Sequence, residues 1–223
     1  MDRNDPAYRG QSGYGWLLLN LYDPLVLGPI ARFVWRCPSG RLMDGYRAHI
    51  RDRHLDVGPG TGYFLGRSGL PGGSRVTLLD PNATVLRHAA SRLADLAITS
   101  VTADVLKPLP VAGPFASAAL NLVIHCLPGP PARKATAIAN VAVVLAPGGV
   151  LFGASVLGRA GRHTWPARLA LAMFNRGGAF DNLDDSEDSL RAMLEASFGH
   201  VEIKTIGSIA IFSATEPRPG DPR

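Results

Sequence analysis

The sequence predicts an α/β protein built on one doubly wound, seven-stranded, mostly parallel sheet whose last strand runs antiparallel. Three observations predict it. From His54 onward, short apolar runs alternate with helical stretches, the pattern of a parallel sheet covered on both faces. A glycine turn, Gly58 to Gly62, directly follows the first of those runs. Near the end, the apolar runs Val201 to Ile206 and Ser208 to Thr215 meet at Gly207, which closes them as an antiparallel pair.

The elements follow in chain order. Residues 1–51 hold an aromatic, Pro-broken stretch and then Arg41 to Arg51, with too little apolar content for a core of their own, so they are expected to form a helical cap or lid. Expected strands are His54 to Val57, Arg75 to Asp80, Ile98 to Ala103, Ser117 to Ile124 and Gly149 to Val156. Between them, helices are expected over Gly62 to Arg67, Asn82 to Ala94 and Pro131 to Leu145. In the second of these, Val85, Leu86, Ala89 and Leu93 form an apolar stripe, and Asn82 is a good N-cap. Pro147, Gly148 and Gly149 stop the third. Gly158 to Asn182 fits no strand. A helix from Ser186 to Phe198 follows, and Asp184, Asp185 and Glu187 suit its N-terminus.

Composition narrows the class. A chain of 223 residues with 46% hydrophobic content suffices for one core, so 1–216 is read as a single domain, 1–51 as cap and 52–216 as core, and 217–223 as a disordered tail. Cys37 and Cys126 are the only cysteines, which excludes a disulfide framework and zinc knuckles. The histidines lack ligand spacing, so no metal is expected. The start Met1 to Asp5 is no cationic leader, and the apolar run Trp16 to Trp35 is broken by Asp23, Pro24, Pro29 and Arg32, so neither export nor a membrane span is expected and the location is expected to be cytoplasmic. Net charge is +5 but scattered, without the aromatic and basic interleaving of nucleic-acid platforms. The sequence leaves the oligomeric state open.

The chemistry sits at strand ends. Glycines where a strand turns sharply into a helix clear side chains from a ligand, and free N–H groups point at it. A dinucleotide fingerprint needs a third glycine where Tyr63 stands, and a phosphate loop of the hydrolase type needs Lys and Ser or Thr where Tyr63 and Phe64 stand. Both phosphate readings fail, which leaves a ligand that wants close backbone approach without a phosphate.

With these residues in place, His54 to Leu65 resembles motif I of the class I S-adenosylmethionine-dependent methyltransferases. Asp80, after Leu78 and Leu79 and before Pro81, is similar to the family's acidic residue on the ribose hydroxyls. Asp104 resembles the acid beside the adenine amino group, with Val105 against the ring. Leu145 to Val150 matches the family's turn into the fifth strand. The resemblance covers Arg53 to Thr215 and implies a Rossmann-like core. It also implies a cofactor site of Asp56, Gly58, Pro59, Gly60, Thr61, Gly62, Asp80, Pro81, Asp104, Val105 and Asn121, for S-adenosyl-L-methionine and its product S-adenosyl-L-homocysteine. Taken singly, Asp56, Asp80 and Asp104 also read as turn or loop acids.

His125 and Cys126 follow the apolar run Ala118 to Ile124, at the carboxyl end of the fourth strand, where open α/β folds hold ligands. The Asn-Pro-Pro-Tyr type motif of many amine and nucleic-acid methyltransferases is replaced by Leu127, Pro128 and Gly129, which favours a small-molecule acceptor. His125 reads either as the catalytic base for an acceptor hydroxyl or as a satisfied structural histidine. Cys126 reads as a small buried hydrophobe. Leu21 to Pro24 and Trp35 to Pro38 resemble the lead-in of secondary-metabolite methyltransferases, which makes Tyr14, Tyr22 and Tyr46 candidate substrate-binding lid residues. Trp165, Met173 and Phe174 are candidates to line the substrate pocket, or else the buried side of a covering helix. The expected function is methyl transfer to a small, largely apolar metabolite, at oxygen first, with nitrogen or carbon open. The alternatives are a protein that binds the cofactor without methylating, and a nicotinamide-dependent reductase, which Tyr63 disfavours.

Overall fold

The computed structural model describes residues 26–159 and 163–218; Tyr14 and Tyr22 lie outside the described residues, as do 219–223. Helix α1 (Val26–Val34, a π-helix containing Pro29) and helix α2 (Ser39–His49) come first. Strands β1 (His54–Val57), β2 (Arg75–Asp80), β3 (Ala97–Thr102), β4 (Phe115–Asn121) and β5 (Leu145–Val156) follow. Helices α3 (Ala83–Ser91) and α4 (Pro131–Val144) lie between them. The chain then forms α5 (Trp165–Arg176), α6 (Glu187–Glu195), β6 (Phe198–Ile206) and β7 (Ile209–Pro217).

The seven strands form one sheet in the order β3-β2-β1-β4-β5-β7-β6. β7 runs antiparallel to both of its neighbours, β5 and β6, the second as the close turn at Gly207 requires. Strand order reverses between β1 and β4, the switch point outside which ligands bind in such sheets. Apolar residues fill both faces. One cluster joins Leu55, Leu120, Ile138, Leu151 and Leu194, and the other joins Trp35, Leu42, Leu78, Leu86 and Phe152, so α4 and α6 cover one side and α1, α2, α3 and α5 the other.

Several expectations are corrected. Instead of a helix over Gly62 to Arg67 there is a turn ending in one 3-10 turn at Leu65–Arg67, because Gly62 sits at φ +73°, outside the right-handed helical region. The fourth strand stops at Asn121, and Ile124–Cys126 is a 3-10 turn, since Leu122 takes φ +60°. The fifth strand starts at Leu145, with the Pro-Gly-Gly turn inside its span. Pro217 ends β7, and the Arg218 N–H donates to Ser197 O over 2.8 Å, so the expected tail does not begin at 217. No described helix is long and apolar enough to cross a membrane.

Candidate active site

Strand register brings the cofactor candidates to one edge. Val57 pairs with Leu79 and Asp80 with Thr102, so Gly58, Asp80 and Asp104 emerge side by side from β1, β2 and β3. Asp56 pairs with Ala119, which places Asn121 across the switch point at the level of Gly58. Gly58, Gly60 and Gly62 all have positive φ, and the Gly58 N–H anchors the turn to Leu79 O over 2.8 Å. A Cβ on Gly60 would meet nothing within 4 Å, so open space lies over the turn. Thr61 and Val105 are buried and Pro59 and Pro81 half-buried.

The acids divide by exposure. Asp56 is buried, and its Oδ2 accepts the Tyr46 hydroxyl at 3.0 Å, with His54 Nε2 at 3.7 Å; it braces the turn from below. Asp80 Oδ1 accepts the Asn82 N–H at 2.7 Å, and no described residue bonds Oδ2. Burial raises the Asp80 carboxyl to about 6, and the Asn82 N–H opposes the rise. Asp104 Oδ1 accepts the Leu106 N–H at 2.9 Å, again leaving the other oxygen without a described partner. A backbone cradle with open space above it and two half-committed carboxylates beside it fits an adenosyl group carrying an amino acid tail.

Next to this edge is a cavity of about 110 Å³, lined among the described residues by Leu27, Ile30, Ala31, Trp35, Leu42, Leu122, His125, Cys126, Val156, Phe174, Ala179, Phe180 and Ile209. Its walls come from α1, α2, α5, β7 and the turn after β4. Trp35, Phe174 and Phe180 form an aromatic side, with ring centroids 4.8–6.4 Å apart. His125 packs edge-on to Phe180 at 4.4 Å.

His125 is fixed by the backbone. Its Nδ1 accepts the Val156 N–H at 3.2 Å, and its own carbonyl accepts the Asp181 N–H at 2.9 Å. Burial pushes its pKa down to about 3, and the Lys134 charge adds to the shift, so the ring is neutral at ordinary pH. With Nδ1 accepting, the single proton of the neutral ring is on Nε2, and no described residue bonds Nε2.

The substrate candidates separate. Phe174 lines the cavity. Trp165 and Met173 do not, being 76% and 60% exposed, because α5 turns Ala167, Leu171 and Phe174 inward instead. Tyr46 is not on a lid surface either: it is buried, stacked on Phe64 at 5.5 Å, with its hydroxyl committed to Asp56. Cys126 lines the cavity and is exposed, not a buried hydrophobe. Sequence reasoning missed Leu122, Phe180 and Asn182; the Asn182 side chain donates to Val156 O at 2.8 Å and so holds the carbonyl of the residue whose N–H His125 accepts.

The wall behind His125 rests on a buried ion pair. Lys134 Nζ lies 2.6 Å from Asp185 Oδ2 and donates to Asp181 O over 2.5 Å, and Asp181 Oδ2 accepts the Gly129 N–H at 2.7 Å. Asp185, expected at a helix N-terminus, turns inward instead, and Ser186 caps α6 through a capping box with Ser189.

A family model described as a methyltransferase domain matches residues 55–149. The chain is 35% identical over 221 residues to the physcion biosynthesis cluster O-methyltransferase of Aspergillus chevalieri, covering 98% of this chain and 100% of that one. It is 34% identical over 207 residues to the demethylluteothin O-methyltransferase of Streptomyces thioluteus, covering 92% and 90%. In fold it is similar to the N-methyltransferase NodS of Bradyrhizobium japonicum WM9 in complex with S-adenosyl-L-homocysteine, with a TM-score of 0.55, 18% identity, and 74% and 78% coverage.

Proposed function

The chain belongs to the class I S-adenosylmethionine-dependent methyltransferases, and we propose that it methylates an oxygen of a small, largely apolar metabolite. One observation carries the proposal: the apolar cavity lies beyond the carboxyl ends of β4 and β5, on the sheet edge where the glycine turn follows β1, and no Asp, Glu, Lys or Arg stands among its described lining residues. Such a wall suits a largely apolar acceptor, which gains by leaving water there. The choice of oxygen is supported by the O-methyltransferase relatives.

S-adenosylmethionine, when bound, supplies an electrophilic methyl group on a sulfonium centre. In this proposal Gly58, Gly60 and Gly62 receive its amino acid end, Asp80 takes the ribose hydroxyls and Asp104 the adenine amino group. Trp35, Phe174 and Phe180 orient the acceptor and keep water out, so that alignment supplies much of the rate.

Asp80 gives the test. Its carboxylate accepts ribose hydroxyls best when ionised, and its pKa is raised to about 6, so affinity falls as pH drops through that value. Calorimetric titration of S-adenosylhomocysteine should show constant affinity above about pH 6 and a fall approaching tenfold per unit below it. Asp80→Asn should bind about 10- to 100-fold more weakly near neutrality and lose the break. Equal affinity and an equal profile in the variant would remove Asp80 from the site.

A further inference from the structure

The general-base role anticipated for His125 conflicts with its hydrogen bonding. A base must present a lone pair to the acceptor hydroxyl. His125 Nδ1 already accepts the Val156 N–H at 3.2 Å, and the Val156 carbonyl, in the next peptide group, accepts from Asn182 at 2.8 Å, so the ring cannot readily reverse without orphaning a buried N–H. The ring nitrogen without a described partner is Nε2, and it carries the proton.

We infer that His125 meets the methyl acceptor as a hydrogen-bond donor through Nε2–H, and that the acceptor is an acidic hydroxyl, a phenol or enol, that reacts as its oxyanion. The inference rests on the methyl-transfer reading of this site and specifies its substrate class. A donor favours the bound anion over the neutral hydroxyl, because a hydrogen bond to an ionised oxygen is about twice as strong as one to a neutral oxygen, and so raises the ionised fraction before transfer. Cys126 is the other titratable group in the described lining and the Trp35 indole N–H the other nitrogen donor, while Lys134, whose charge acts on the ring, is committed to Asp181 and Asp185. The proton leaves the hydroxyl to bulk water before transfer. The oxyanion lone pair then forms the O–CH3 bond as the S–CH3 bond breaks, and that bond's electron pair returns to sulfur. The aromatic side formed by Trp35, Phe174 and Phe180 suits a planar ring.

4-Nitrophenol reports ionisation directly by its absorbance, independently of turnover. Bound to wild type in the presence of S-adenosylhomocysteine, its apparent pKa should fall by about one unit or more. His125→Gln can accept from Val156 through Oε1 and donate through Nε2, and should keep most of that shift. His125→Phe, which cannot donate, should abolish it while S-adenosylhomocysteine still binds. In methyl transfer to phenols of graded acidity, His125→Phe should lower kcat by about 10²-fold and His125→Gln by far less. Equal loss in both variants would restore the base and overturn the inference, as would a nitrophenol that binds unshifted or not at all. A full spectral shift with no methyl transfer to any phenol would instead overturn the methyl-transfer reading and leave the donor standing.

Discussion

Replacing Lys134 with alanine is expected to cost about 3–5 kcal/mol of stability, since it strands a buried carboxylate. Lys134 is fully buried and its ammonium holds Asp185 at 2.6 Å, while Asp185 Oδ1 already lacks a partner. For a chain of this size the midpoint should drop by about 6–20 °C. The pH dependence has a defined sign. Burial raises the Asp185 pKa in the folded state, and Lys134 opposes the rise. Without Lys134 the folded state binds the Asp185 proton more tightly than the unfolded state does, so the variant should regain stability as pH falls toward the unfolded carboxylate value of about 4. A double variant, Lys134→Met with Asp185→Leu, should recover most of the loss at neutral pH. Thermal unfolding across pH decides it, and a single variant as stable as wild type would show that the pair holds nothing together.

The second large effect separates two glycines of one turn. Gly58 sits at φ +66°, and a Cβ there would lie 2.7 Å from Val123 Cγ2. Gly58→Val therefore adds backbone strain of about 1–2 kcal/mol to a clash with the segment leading into His125. It is expected to destabilise the protein and weaken S-adenosylhomocysteine binding by about 10²-fold or more. At Gly60 the φ is +55° and the space is open, so Gly60→Ala carries the strain without the clash, and its added methyl enters the room a ligand would use. Its loss should appear mainly in affinity. Calorimetry with thermal unfolding on both variants checks the split, which fails if Gly60→Ala binds normally.

Much of this was legible in the sequence because it is local. Strands show as apolar runs, the glycine turn lies within a few residues of β1, and the Asn82 cap accepts from Thr84 N–H as its position implies. What was not legible depends on distant partners. Lys134 looks like a surface residue of α4 until it meets Asp185, 51 residues away. Tyr46 looks like a lid aromatic until β1 brings Asp56 beneath it. The stretch containing Phe180 and Asn182 carries no strand or glycine signal, and its role appears only when Asp181 bonds the His125 carbonyl. Which His125 nitrogen keeps the proton is set by the Val156 N–H on β5, 31 residues away, so no spacing in the sequence encodes it.

The most direct measurement is product mass after incubating the purified protein with S-adenosylmethionine and a panel of apolar phenols, amines and carboxylic acids. The expected result is gain of one CH2 on phenolic oxygen, with formation of S-adenosylhomocysteine in equal amount and no gain on the amines or acids. A product of unchanged mass with the cofactor bound, or methyl transfer confined to the amines, would contradict it.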